Sequence, residues 1–255
     1  MSVSRFNWLY PALIAHRGAG KHAPENTLSA MREGAAQGYK MFEYDAKLSQ
    51  DGVAILLHDD SVDRTSNGSG LASQLNLAEL LSLDFGAWHS PKYAGEPLLT
   101  LSGMANFCIP RQLHSNIEIK PNLGLEAQTG AAIAHAAAAL WANTPQQPLL
   151  SSFSITALRA AKLAAPHLPL AWLIDEELDT NWLDTARDLQ VVALNLNDKH
   201  VSADHIQQVK SEGYSVCVWT ANDPTRVQQL LRWGCDSVIT DAIYDIAPDI
   251  NRQAI

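Results

Sequence analysis

Leu13-Ile-Ala-His-Arg-Gly-Ala-Gly-Lys-His-Ala-Pro24 is a short apolar run followed by a glycine-bearing turn. Leu13–His16 reads as a short buried strand, and the glycine-bearing turn after it separates two parallel-sheet architectures. A doubly wound open sheet favours G-x-G-x-x-G at this point, opening a helix. Arg17-Gly-Ala-Gly-Lys-His-Ala-Pro24 lacks that spacing, so a closed (β/α)8 TIM barrel is the better fit. Outward from this strand, similar runs recur at Met41–Leu48, Asn116–Lys120, Leu149–Phe153, Ala171–Ile174, Val191–Leu196, Ser215–Thr220 and Ser237–Thr240, with helix-length spacers between most of them. Parallel strands covered on both faces are apolar in this way.

Val53–His58 breaks the alternation. It follows Asp51-Gly52, a strong hairpin signal between two strand patterns, and a strand entered through a tight turn runs antiparallel to its predecessor. With Asp51 and Gly52 as the two turn residues, His58 falls opposite Asp45. Residues 59–97 are too long for an ordinary connection. Arg64–Gly70 is turn-rich, Asn76–Leu83 has short helical periodicity, and Gly86, Pro91, Gly95 and Pro97 carry loop chemistry. The expectation is one barrel domain over residues 1–255 with a small insertion at its mouth.

Composition narrows the partners. With 27 acidic against 18 basic residues the formal charge is −9, which argues against a broad nucleic-acid or anionic-membrane surface. A single small phosphate-bearing substrate can still be met locally. The N-terminus has no basic start followed by an apolar core, so it does not read as a signal peptide. Ala131–Ala142 is too short to span a bilayer and reads as a buried alanine-rich helix. Cys108, Cys217 and Cys235 are too widely spaced for a clustered zinc motif and read as reduced thiols, consistent with a cytoplasmic protein.

Glu43-Tyr-Asp45 places two carboxylates on one face of a strand, and Glu118-Ile-Lys120 does the same for an acid and a base. Acids buried at strand ends are costly unless they are paired or bind a cation. Three of them converging suit one hard divalent ion, Mg2+ or Ca2+. The alternative is an ion-pair network, Glu118 with Lys120 or Arg17. His16 ends the first strand, where barrels carry catalytic groups. The hairpin brings His58 beside Asp45, so the two histidines could act as general acid and base. Arg17 offers a planar fork for phosphate oxygens, or a partner for Glu25 or Asp45. Asn26 or Thr27 would cap a helix whose buried face holds Leu28, Met31 and Ala35. Trp219 is either a pocket wall or a core residue.

The strings Ala15-His-Arg-Gly18, Pro24-Glu-Asn-Thr27, Glu43-x-Asp45, Asp51-Gly52, His58-Asp59 and Arg64-Thr65 stand in an order that resembles the glycerophosphodiester phosphodiesterases. Asn116-Ile-Glu-Ile-Lys120, Ser151-Ser-Phe153, Trp219-Thr-Ala-Asn222 and Thr240-Asp241 extend the resemblance over nearly the whole chain. One departure is Ala221, where the family commonly has Val. The resemblance implies a phospholipase-C-like barrel and a divalent metal held by Glu43, Asp45 and Glu118. It also implies an acid/base pair in His16 and His58, and phosphoryl contacts from Arg17 and Lys120. The implied activity is hydrolysis of small glycerophosphodiesters to sn-glycerol 3-phosphate and an alcohol. In bacterial members the glycerol 2-hydroxyl attacks first and water then opens a cyclic phosphate. The other readings are a phospholipase-type diesterase acting on intact lipids and a phosphodiester-binding protein without turnover. No nucleic-acid partner or membrane anchor is expected, and the sequence is silent on oligomeric state.

Overall fold

In a computed structural model, which describes residues 6–250, the apolar runs alternate with helices as the spacing requires. The order is β1 (Leu13–His16), α1 (Leu28–Ala36), β2 (Met41–Leu48), β3 (Ala54–Leu56), α2 (Leu77–Leu81), α3 (Leu101–Cys108), β4 (His114–Ile119), α4 (Glu126–Leu140) and β5 (Leu149–Ser152). It continues with α5 (Ile155–Ala164), β6 (Leu170–Ile174), α6 (Trp182–Leu189), β7 (Ala193–Asn197), α7 (Ala203–Ser211), β8 (Ser215–Trp219), α8 (Pro224–Arg232) and β9 (Ser237–Thr240). All strands but β3 pair in parallel as β1-β2-β4-β5-β6-β7-β8-β9, and β9 returns to β1. The result is a closed (β/α)8 barrel.

The pairing register sorts the barrel interior into layers, because alternate strands contribute to each level. Stepping up the axis, one layer holds Ile14, Asn116, Ala171 and Cys217, and the next holds Glu43, Ser151, Asn195 and Ile239. Above them lie His16, Glu118, Leu173 and Trp219, and then Asp45, Phe153, Asn197 and Asp241. The lower layers are mostly apolar, and Ile14, Met41, Leu149, Ala171, Ala193, Cys217 and Ile239 pack there as one cluster. The acidic side chains Glu43, Glu118, Asp45 and Asp241, with His16, lie in the upper three of these four layers, toward the C-terminal strand ends. The alternation of each strand thus places the chemistry at one mouth.

The β2–β3 hairpin forms, but with a different turn from the one expected. Ser49 N donates to Val53 O across the loop Gln50-Asp51-Gly52, with Gly52 at φ +78°, and Ala46 pairs with Leu56. A three-residue loop with glycine in the left-handed position shifts the register by one residue relative to a two-residue turn. Leu57, not His58, lies opposite Asp45, and Leu57 N donates to Asp45 O. The strand ends at Leu56, and His58 stands in the bend beyond it. Because Ala46 also pairs with Ile119 on β4, β3 occupies the edge of β2 that β1 uses lower down. The hairpin therefore rises above the barrel wall.

The excursion after β3 has a small apolar cluster of its own: Ile55, Leu57, Val62, Ala72, Leu80, Phe85 and Leu98. Five-residue α2 would not persist alone. Asn76 and Glu79 form a reciprocal capping box at its start, and Leu80 is buried beneath it. On the barrel, Thr27 caps α1 by accepting from Ala30 N. The buried face of α1 is Ala30, Met31 and Gly34, with Leu28 and Ala35 at its margin. A Cβ on Gly34 would collide with Gly18 O and the Phe42 ring, so glycine lets α1 close onto the turn after β1. The alanine-rich α4 lies flat on α5 by the same device, Gly130 against Ala157. Cys108, Cys217 and Cys235 are buried and form no disulfide. Among the described residues no helix is long and apolar enough to cross a membrane.

Candidate active site

Three carboxylates meet at the mouth. Glu43, Asp45 and Glu118 are buried, and one oxygen from each lies within 4.8 Å of the others. Three negative charges at that spacing repel strongly where water is scarce. Burial, reinforced by the Asp45 charge, pushes Glu43 up to about 8 and Glu118 to about 7. Burial alone would raise Asp45 too, but Arg17, His58 and Lys120 outweigh it and hold Asp45 below the ordinary range. Ion pairing does not exhaust the cluster. Arg17 Nε faces Asp45 Oδ2 at 3.2 Å and Lys120 Nζ sits 3.1 Å from Glu118 Oε1. Glu43 Oε1 and Asp45 Oδ1 are buried without a hydrogen-bond partner. Orphaned anionic oxygens arranged around one point fit a divalent cation, which takes oxygen ligands and cancels the repulsion.

Both sequence-predicted histidines flank this set, each held by an aspartate. His16 Nδ1 lies 2.6 Å from Asp241 Oδ1, leaving Nε2 facing Glu43 at 3.7 Å. His58 Nδ1 lies 2.7 Å from Asp59 Oδ1, leaving Nε2 facing Lys120 Nζ at 3.2 Å. A carboxylate on Nδ1 fixes the ring and selects the tautomer with its lone pair on Nε2. The environments pull the two rings apart. For His16, burial is outweighed by the Asp241 hydrogen bond and the Glu43 charge, so its proton is held above the ordinary pH. For His58, burial outweighs the Asp45 charge and the proton is lost below it. One ring that favours its proton beside one that sheds it is what paired acid and base catalysis requires.

Asp241, Asn222, Asp59 and Arg64, which orient the two histidines, are given no role of their own in the sequence reading, and of these only Asp59 is a chain neighbour of the ring it holds. Asn222 Nδ2 donates to Asp241 Oδ2 and Asn222 Oδ1 accepts from Asp241 N, which fixes the loop after β9 under His16. Arg64 grips Asp59 through Nε and NH2 at 2.6 and 3.0 Å and Glu25 at 2.7 and 2.8 Å. Glu25 in turn accepts from Arg17 NH1 at 2.9 Å. A continuous ionic chain therefore ties His58 to Arg17. Asn26, considered as a cap, instead clamps Asp45: its Nδ2 donates to Oδ2 and its Oδ1 accepts from Asp45 N. Arg17 and Asn26 both hold left-handed backbone, φ +49° and +60°, joined by Asn26 N donating to Arg17 O. Such conformations cost about 1 kcal/mol or more each and persist where surrounding contacts fix them.

Trp219 is half-buried, with Nε1 donating to Asn195 O and its ring meeting Phe153 edge-on at 5.3 Å. Phe153 also lies under Lys120 Nζ, 5.6 Å from the ring centre. The mouth thus has a charged side, from β9 through β4, and on the other side the Phe153–Trp219 pair beside Asn197, whose Nδ2 donates to Asp175. A groove of about 350 Å³ adjoins His16 on the charged side. A larger cavity, about 710 Å³, lies at the opposite end of the strands around Tyr10, His114 and Val192 and touches none of these groups.

This geometry accords with three comparisons. Residues 16–244 match the model of the Glycerophosphoryl diester phosphodiesterase family. A glycerophosphodiester phosphodiesterase of Caldanaerobacter subterraneus is 30% identical over 90% of this chain and 93% of its own. The structure of an Oleispira antarctica phosphodiesterase in complex with the product sn-glycerol-3-phosphate superposes with a TM-score of 0.87 at 32% identity, covering 93% of this chain and 95% of that one. A Thermotoga maritima glycerophosphodiester phosphodiesterase, at 21% identity and a TM-score of 0.72 over 93% of this chain and 97% of its own, shares the fold. Barrel, mouth and matched length together make this chain a hydrolase that belongs to the glycerophosphoryl diester phosphodiesterase family.

Proposed function

We propose that the protein hydrolyses small glycerophosphodiesters to sn-glycerol 3-phosphate and an alcohol, with the whole chain as one barrel domain bearing the 59–97 insertion. The observation that carries this reading is the pair of imidazoles beside the three carboxylates, each anchored through Nδ1 by an aspartate, with Nε2 of His16 facing Glu43 and Nε2 of His58 facing Lys120. Glu43, Asp45 and Glu118 would hold one divalent cation, Mg2+ or Ca2+. When bound, it supplies Lewis-acid stabilisation of charge on the phosphoryl oxygens.

The chain's own residues do the rest. Arg17 and Lys120 face the same mouth and neutralise the phosphoryl oxygens. Trp219 and Phe153 wall the side where the carbon chain of glycerol can pack. One imidazole takes the proton of the glycerol 2-hydroxyl as that oxygen attacks phosphorus. The other gives a proton to the departing alcohol, leaving a five-membered cyclic phosphate. The roles then reverse: a water loses its proton to the second ring, its oxygen adds to phosphorus, and the ring oxygen leaves as the 2-hydroxyl. No proton is gained or lost over the cycle. We place the enzyme in the cytoplasm, acting on soluble diesters without nucleic-acid or membrane partners.

Phosphorus-31 NMR of glycerophosphoglycerol incubated with metal-loaded protein tests the reading. The expected course is a transient cyclic phosphate followed by glycerol 3-phosphate. His16→Ala and His58→Ala should each lower turnover at least about 100-fold. Absence of glycerol 3-phosphate, or wild-type turnover in either variant, overturns it.

A further inference from the structure

The groove beside His16 opens off the site described above and extends outward past it, and its position and charge suit it to one arm of the substrate. Its walls are the turn after β1, with Gly20 and Lys21, and the insertion segment that carries Trp88 and His89. These walls are joined: the His89 ring meets Lys21 O through Nε2 at 3.0 Å, and Tyr93 OH donates to His22 O. His16, Arg17 and Asp241 form its inner end, so it opens directly onto the reacting centre. The aromatic wall of Phe153 and Trp219 lies on the other half of the mouth.

A phosphodiester has two organic arms, and in-line displacement places the attacking and departing oxygens on opposite sides of phosphorus. With glycerol against the aromatic wall, the departing alcohol points into the groove. We infer, resting on the phosphodiesterase reading, that this groove is the leaving-alcohol subsite and that it selects uncharged or anionic polyols over quaternary ammonium alcohols. Most charges lining it are already spent. Arg17 and Arg64 are bound to Glu25, and also to Asp45 and Asp59 respectively. Asp241 is bound to His16 and Asn222. Among the described residues Lys21 makes no ion pair, which leaves one exposed ammonium without a counter-charge along the groove. Its hydrogen-bond donors suit hydroxyl groups, and its charge opposes a trimethylammonium.

The test measures kcat/KM for glycerophosphoglycerol, glycerophosphoinositol and glycerophosphocholine on wild-type, Lys21→Gln and Lys21→Glu protein. The wild type should prefer both polyol diesters. Lys21→Gln should narrow the preference over the choline diester about two- to fivefold, and Lys21→Glu should narrow it further or invert it, chiefly through KM. Raising the salt should compress the wild-type preference toward that of Lys21→Gln. A wild-type preference for choline, or a ratio that Lys21→Glu leaves unchanged, overturns the subsite. Loss of turnover on all three diesters overturns the phosphodiesterase reading, and the subsite with it.

Discussion

Stripping the metal and raising the pH from 5 to 8 should destabilise the protein, because the carboxylate cluster then has to ionise without a cation. Glu43 is fully enclosed, and burial with the Asp45 charge moves its carboxyl from 4.5 to about 8. At about 1.4 kcal/mol per tenfold, the whole displacement corresponds to about 5 kcal/mol, of which the interval from pH 5 to pH 8 samples about 3.5 kcal/mol. Glu118 moves in the same direction for the same reasons, but both share Asp45 as a cause and the two are not additive. Between 4.5 and 8 the folded protein holds a proton that the unfolded chain has released. Stability is therefore full below 4.5 and falls as the pH rises through the folded value. His16, whose proton is held in the folded state, adds to the fall, while His58, which sheds its proton, opposes it. Asp45 titrates below this window.

In a chain of 255 residues, a loss of this size should lower Tm by about 10 °C. Calorimetry with chelator at pH 5 and pH 8 measures it. Adding back Mg2+ or Ca2+ should restore most of the loss at pH 8 and little at pH 5, where protons compete for the same oxygens. Glu43→Gln should flatten the pH dependence of the metal-free protein. A metal-free wild type as stable at pH 8 as at pH 5, with Glu43→Gln indistinguishable from it, would refute the argument that these three acids are forced together.

Other variants probe the supports. Asp241→Asn keeps the shape but removes the charge that retains the His16 proton, so kcat should fall about 10- to 100-fold. The pH–rate limb set by His16 should move to lower pH, as titration of activity would show. Arg64→Ala should cost no more than about 1 kcal/mol in denaturant unfolding, since the guanidinium is partly exposed. Its kcat should drop about tenfold as Asp59 loses the group that orients it. Gly34→Ala forces a Cβ into Gly18 O and Phe42, which should cost about 1–3 kcal/mol in the same unfolding assay and lower activity by moving Arg17.

The barrel was legible because its signal is periodic. Short apolar runs at helix-length spacing survive any local misreading, and the strand bounds differ from the expected ones by a residue or two. The hairpin shows where pattern fails. Asp51-Gly52 fits a two-residue turn, but Gly52 takes the left-handed position of a three-residue loop, and one residue of register moves His58 off the strand. The sequence argument for His58 rested on that register; in the structure it is the bend after Leu56 that brings its Nε2 to Lys120 at the same mouth. Alternation put Glu43 and Asp45 on one strand face and Glu118 with Lys120 on another, and parallel pairing of β2 with β4, Asp45 opposite Glu118, is what gathers the three acids. Asp241 and Asn222 were not legible, because Asp241 meets His16 across 225 residues of chain and only barrel closure brings β9 beside β1. Asn26 and Thr27 were interchangeable as caps in the sequence. The structure separates them, since left-handed backbone at Asn26 turns its amide onto Asp45 and leaves Thr27 to cap α1.

Release of sn-glycerol 3-phosphate from glycerophosphoglycerol by chelator-stripped protein, before and after addition of Mg2+ or Ca2+, measures whether the three carboxylates act through a bound cation. No release is expected without the cation, release on its return, and none with either cation in a Glu43→Gln, Asp45→Asn, Glu118→Gln triple variant that remains folded. Release by the stripped protein at the rate of the metal-loaded one would contradict that role of the cation.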